Sequence, residues 1–261
     1  MEDFYIVIPS NVKNRSGTKN TTSSFTSYLP KPLTLDKHSW RVALVQIAYP
    51  YSWLNISGDV ARVQIKKGTF EKEFEMIPFY YETPVHITGY INSMLKMNKF
   101  QSSLEMRSSG HCRITCKDHE QISFHPTLAG ILGFDKTTFA YNEEEEEEEE
   151  NEGGSIVYNS VFKSDVRSSM FHMYIYSDIV SNTVVGDTYV PLLQTLPIRH
   201  HQRDTMIYEE FQIPHYMPLQ TGSVPSITIK LCDETGNSIR FTRGHVVVKL
   251  HFKKYDGART N

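Results

Sequence analysis

Three cysteines among 261 residues, an odd number with no framework spacing, exclude a disulfide scaffold and fit a reducing compartment where thiols stay free. No apolar run approaches the ~20 residues that a membrane helix needs, so no membrane contact is expected. The first ten residues lack the basic start, apolar stretch and small-residue cleavage site of a secretory signal. The glycosylation acceptor patterns at Asn20 and Asn55 are therefore expected to stay unused. The signatures of common catalysts are also missing: no Gly-x-Ser-x-Gly elbow, no phosphate-binding glycine loop, no His-Glu-x-x-His and no His-x-His. No repeat recurs at a fixed period.

What the chain has is aromatic residues, 15 Tyr and 14 Phe, which suit sheets better than helical bundles. Its formal charge of −3 conceals an asymmetry, because Glu143 to Glu150 and Glu152 supply nine of the 30 acidic residues. Without them, 27 basic residues face 21 acidic ones, so the rest is mildly basic and the acidity lives in one segment.

Strand signals dominate. Ser39 to Trp53 alternates between two largely apolar sides, Trp40, Val42, Leu44, Gln46 and Ala48 on one, Arg41, Ala43, Val45, Ile47 and Tyr49 on the other. That pattern predicts a central strand covered on both sides, or one whose outer face meets another subunit. Gly244 to Phe252 alternates cleanly, as a half-buried strand does. Phe4 to Ile8 reads as a short strand stopped by Pro9, and the polar Ser10 to Ser24 as an extended arm or loop. Pro30 and Pro32 mark Phe25 to Leu35 as an edge or connection.

Val60 to Lys66 and Phe70 to Met76 form a hairpin across Lys67-Gly68-Thr69. Thr83 as N-cap and Pro84 after it open a helix to about Lys99, with Ile87, Ile91, Met94 and Leu95 on its apolar face. Thr127 to Phe134 predicts one helical turn ended by Gly133. Further strands are expected at 104–107, 111–117, 121–124, 156–162 and 170–180; 189–198 is apolar but broken by two prolines, and 205–213 precedes Pro214. A last hairpin is expected from Ser226–Cys232 and Ser238–Thr242 around DETGN. Nine to eleven short strands with few helices predict an all-β fold: a single jelly roll, that is, an antiparallel two-sheet sandwich with loop insertions and one or two short helices, spanning 1–261 as one domain. Residues 10–24 would form a flexible arm and 140–155 an acidic loop.

Candidate chemistry is sparse. On a strand, Cys112 and Cys116 share a face but stand about 13 Å apart at ~3.3 Å per residue, too far to hold one zinc ion. They read as core residues, and so does Cys232 beside Leu231. His200 and His201 have no carboxylate or cysteine at ligand spacing and read as loop. No catalytic residue, metal or cofactor is predicted. Basic residues are scattered without aromatic interleaving, so no direct sequence-specific nucleic-acid binding is expected. The glutamate run reads as a solvated loop, or as a docking element for a basic partner or divalent cations.

Three stretches carry a resemblance. NTTSSFTSYLPKPLTLDKHSWRVALVQIAYPYSW, TLAGILGF and YMPLQTGSVPSITIKLCDETGNSIRFTRGHVVVKLHF resemble, in that order, the minor capsid (penton) proteins of Maverick/Polinton virus-like transposons, with relatives in virophages and adintoviruses. Residues from about 139 to 158 match no part of that pattern. The resemblance implies a jelly roll assembled into homopentamers at the fivefold vertices of an icosahedral capsid. It also implies a double jelly-roll major capsid protein as partner, a place in the virion, and no catalytic residues. The arm at 10–24 would order on assembly. Phe4, Tyr5 and Phe25 are the interface candidates, and Trp40, Leu44 and Trp53 the framework. The rival readings are an oligomeric binding module, either a ligand of tumour-necrosis type or a lectin, and a domesticated host copy with a new role; a metal-dependent jelly-roll enzyme ranks behind them.

Overall fold

The computed structural model of the chain describes residues 2–12, 19–141, 155–167, 170–199 and 203–255. Strands dominate, and the residues group into two compact units, 1–53 with 170–261, and 54–169. In sequence the second unit is inserted between the two segments of the first. No proline- or glycine-rich linker marks its boundary, because Trp53 and Asn55 at the junction are themselves buried.

The first unit contains eight principal strands, numbered in chain order: β1 Asp3–Pro9, β2 Ser24–Thr34, β3 Trp40–Pro50, β4 His172–Ser177, β5 Leu192–Pro197, β6 Met206–Glu210, β7 Ser223–Cys232 and β8 Val247–Lys254. They form two antiparallel sheets, β1-β8-β3-β6 and β5-β4-β7-β2. Apart from β4 and β5, which are neighbours in the second sheet, successive strands cross between sheets, in the order that defines a jelly roll of two Greek keys. Ile8, Leu44, Ile207, Leu250 and Phe252 fill the inner face of the first sheet; Phe25, Met173, Ile175, Leu196, Ile229 and Leu231 fill that of the second. Each such side chain stabilises by about 1.5–3 kcal/mol on burial.

The two apolar sides of Ser39–Trp53 have a different cause from the one expected. Lys249 pairs with Gln46 but Leu250 with Leu44, so Val45 is the extra residue of a β-bulge. The bulge switches parity: Trp40, Val42 and Leu44 face inward before it, Ile47 and Tyr49 after it. The strand is central, between β8 and β6, but has one dry face rather than two. β2 is an edge strand, and its prolines fall in the register break opposite Val224–Ser226. Ser238–Thr242 is not a strand. Only Ser238 bridges Cys232, and the chain then leaves so that Phe241 bridges Trp53.

The described parts of 10–24 are tethered between β1 and β2. Ser10 N–H donates to the Val246 carbonyl, Ser10 Oγ accepts from Val246 N–H, and Asn20 closes the loop by donating to the Val12 carbonyl. Residues 13–18 lie outside the described residues.

The inserted unit pairs Phe70–Glu75, Arg62–Lys67, Glu120–Phe124 and Thr138–Ala140 in one sheet, and Ser155–Asn159, Cys112–Lys117 and Ser103–Met106 in another. Helix α1, Pro84–Met97, starts at Thr83, whose hydroxyl accepts from His86 N–H. Helix α2, Pro126–Leu132, ends at Gly133 with φ +88°, where a Cβ would lie 2.1 Å from the Phe162 carbonyl oxygen. Polar side chains then do what long ladders do elsewhere. The Asn92 amide donates to and accepts from the backbone of Leu104, and Asn55 links Tyr81 to Val166. Glu120, 0 % exposed, accepts from Gln101 N–H, Ser102 N–H and the Ser102 hydroxyl.

Candidate assembly surface

The outward face of the sheet β1-β8-β3-β6 carries charged, aromatic and apolar groups side by side. Its composition follows from register. Side chains of one parity point out from each strand, and pairing aligns them in rows across the sheet. One row is Asp3, Lys253, Arg41 and, from the short strand Met217–Pro218, Pro218. The next is Tyr5, His251 and Ala43, followed by Val7, Lys249, Gln46 and Glu210. The last is Pro9, Val247, Ala48 and Tyr208. The face thus runs from a charged end to an apolar end within four rows.

Aromatic and charged groups meet in the middle. Tyr5, 55 % exposed, stacks on the His251 ring at 4.3 Å, with Lys249 Nζ 4.7 Å from the Tyr5 ring centre. His251 is 8 % exposed, and its Nδ1 shares a 2.7 Å hydrogen bond with the Tyr216 hydroxyl. Its Nε2 is buried without a hydrogen bond and lies 3.5 Å from Asp3 Oδ2, an ion-pair distance when the ring is protonated. Burial, followed by the nearby Tyr255, Tyr5 and Asp3, pushes the Tyr216 phenol above its ordinary pKa. A cavity of about 290 Å³ opens beside this cluster, between Val45, Gln46, Glu210 and Lys249. The apolar end continues onto exposed Met206, and Tyr208 is 64 % exposed.

Of the interface candidates, Tyr5 reaches this surface. Phe4 is half-buried, stacked on Phe252 at 4.9 Å and tilted against Trp40 at 5.5 Å. Phe25 is 1 % exposed and points into the sandwich, so it serves the core and presents nothing to a neighbour. The structure does not bring these three together on one surface. Trp40, Leu44 and Trp53 are buried, with Trp53 packed at 4.3 Å on Tyr51 and edge-on to Phe241 at 6.1 Å. Val7, Tyr208 and Met206 escaped the sequence reading because cross-strand pairing is what sets them on one face, in neighbouring rows.

The cysteines are all free and buried, Cys112 and Cys116 in the core of the inserted unit. Burial pushes the Cys112 thiol up to about 12. Among the described residues no three His, Cys, Asp or Glu side chains converge on a point that could hold a metal ion, and no helix is long and apolar enough to cross a membrane. His200, His201 and the glutamate run lie outside the described residues.

No family model and no curated protein sequence matches the chain. A solved structure does. The crystal structure of the selenomethionine-labelled mavirus penton protein aligns with 97 % of this chain and 98 % of its own, at 13 % identity and a TM-score of 0.52. At that identity the likeness establishes the fold: the chain is an all-β jelly roll of the architecture found in the mavirus penton protein.

Proposed function

We propose that the protein is a structural minor capsid protein, a penton that forms homopentamers at the fivefold vertices of an icosahedral capsid. The observation that carries this reading is the end-to-end match: 97 % of one chain on 98 % of a penton protein takes in the inserted unit as well as the sandwich. The three sequence stretches resembling Maverick/Polinton pentons support it independently. In this role the chain is not an enzyme, it resides in the virion capsid, and its partners are copies of itself and a double jelly-roll major capsid protein. Five head-to-tail copies need two different surfaces that close only at the correct rotation. A stable contact buries roughly 1,000 Å² or more, and the outward face carrying Tyr5, Val7 and Tyr208 offers apolar anchors for one side of it.

The test is the solution mass by light scattering, with negative-stain imaging of the same peak. A mass near five chains and fivefold rings is the expected result. A trimer favours the ligand-like module instead. If the protein alone is monomeric, it is co-expressed with a double jelly-roll major capsid protein, and its absence from the vertices of the resulting particles overturns the reading.

A further inference from the structure

The charged end of the outward face opens into a cleft of about 490 Å³. Three separate segments build it. Lys37 and His38 come from the turn before β3, Arg41 from β3 itself, Ser181 and Asn182 from the connection after β4, and Gln220 from the connection before β7. Lys253 stands opposite Arg41 in the β8–β3 ladder. No carboxylate lines the cleft. The adjacent Asp36 is engaged elsewhere, accepting from His38 N–H and the Ser39 hydroxyl, and those bonds hold its pKa below the ordinary value. Among the described residues, the side chains of Lys37 and Arg41 take part in no hydrogen bond or ion pair.

Unneutralised cations gathered in a concave site attract anions, and the Asn182 and Gln220 amides add neutral donors beside them. The lining has no Phe, Tyr or Trp on which a base could stack, which favours a carboxylate-bearing peptide over single-stranded nucleic acid. The chain itself carries such a peptide: eight consecutive glutamates, Glu143 to Glu150, whose mutual repulsion a basic partner relieves.

We propose that this cleft docks the Glu143–Glu150 run of a second copy of the chain. The inference rests on the head-to-tail homopentamer reading and deepens it. A groove on one copy and a run on the next make a heterologous contact, the kind that closes a ring. The attraction acts over the screening length of ~10 Å at 0.1 M salt, so it orients arriving copies and weakens as salt rises.

The experiment measures fluorescence anisotropy of a labelled peptide spanning 140–155. It is titrated with the full chain in which all eight glutamates are replaced by Gln, so that the chain's own run cannot compete. The expected result is binding that weakens at least about tenfold between roughly 50 and 300 mM salt and about tenfold in the Lys37→Glu, Arg41→Glu variant. The unaltered chain should bind the added peptide more weakly than the Gln-substituted one. Lys37→Glu alone, at an exposed turn, keeps the test valid if the double variant misfolds. Absence of binding, or binding indifferent to Lys37→Glu, overturns the proposal. So does a single-stranded DNA oligonucleotide that binds in a Lys37-dependent way while the peptide does not. Light scattering separates the two readings. Pentamers that the Gln-substituted chain forms equally well overturn the docking and leave the penton, whereas Lys37-dependent peptide binding by a chain that is also absent from the vertices of co-expressed particles supports the docking and removes the penton.

Discussion

The sandwich and the inserted unit solve the same problem by different means. In the sandwich, β3, β7 and β8 are eight to eleven residues long, and their ladders satisfy most backbone groups in series. Alternation decides what is buried, and any single ladder bond is one among many. In the inserted unit the strands are three to six residues long, and individual polar side chains finish what the ladders leave open. Asn92 serves both backbone groups of Leu104, and Glu120 gathers three donors at the chain's turn into the strand Ser103–Met106. The sandwich should therefore be most sensitive to lost volume and the inserted unit to lost hydrogen bonds or backbone freedom.

Two probes report on the units separately, because both tryptophans, Trp40 and Trp53, belong to the sandwich while Cys112 and Cys116 belong to the inserted unit. The largest effect is expected from Phe252→Ala, which removes a fully buried ring from the centre of β8 and costs about 3–5 kcal/mol. The tryptophan-fluorescence midpoint in urea should drop while native-state protection of Cys112 from alkylation changes less; equal losses would break the comparison. Gly133→Ala comes next, at about 2–4 kcal/mol, since it forces a Cβ against the Phe162 carbonyl at a left-handed φ. It should expose Cys112 with the tryptophan transition unmoved.

Asn92→Ala leaves the N–H and carbonyl of Leu104 without their side-chain partner and should cost about 1–3 kcal/mol. Faster hydrogen exchange at the Leu104 amide would locate the damage. A smaller effect is expected on raising the pH. Cys112 rises in the folded protein from an ordinary value of 9.0 to about 12, so the unfolded chain loses the proton first. The contribution is complete below pH 9 and fades as pH climbs toward 12, and a Cys112→Ala variant should show a flatter profile of urea midpoint against pH. The smallest change in stability, within about 0.5 kcal/mol, is expected from Val7→Ser with Tyr208→Ser on the exposed face. If that face is an assembly surface, the same pair should lower the mass seen by light scattering far more than it lowers the urea midpoint.

Much of the fold was legible because alternation and punctuation are local signals. Thr83-Pro84 opens α1 as expected, Gly133 closes α2, and Lys67-Gly68-Thr69 turns the hairpin. The bulge at Val45 was hidden, since one buried face that changes parity looks in sequence like two buried faces. The candidate surface was the least legible part. Phe25 looks the same in sequence whether it faces the core or a neighbour, and only its burial distinguishes the two. The basic cleft takes its residues from positions 37–41, 181–182 and 218–220, which read as scattered until pairing gathers them.

The position of β8 between β1 and β3 also constrains the order in which the molecule can be made. While a ribosome is still translating, β1 and β3 are available but the strand that joins them is the last of the eight to emerge, so the first sheet stays open until 247–254 has left the exit tunnel. The strands of 54–169 come from one continuous segment, so that unit can finish folding while the sandwich waits. Until then the edges of β1 and β3 lack their partner, and the nascent chain is exposed to pairing with another copy.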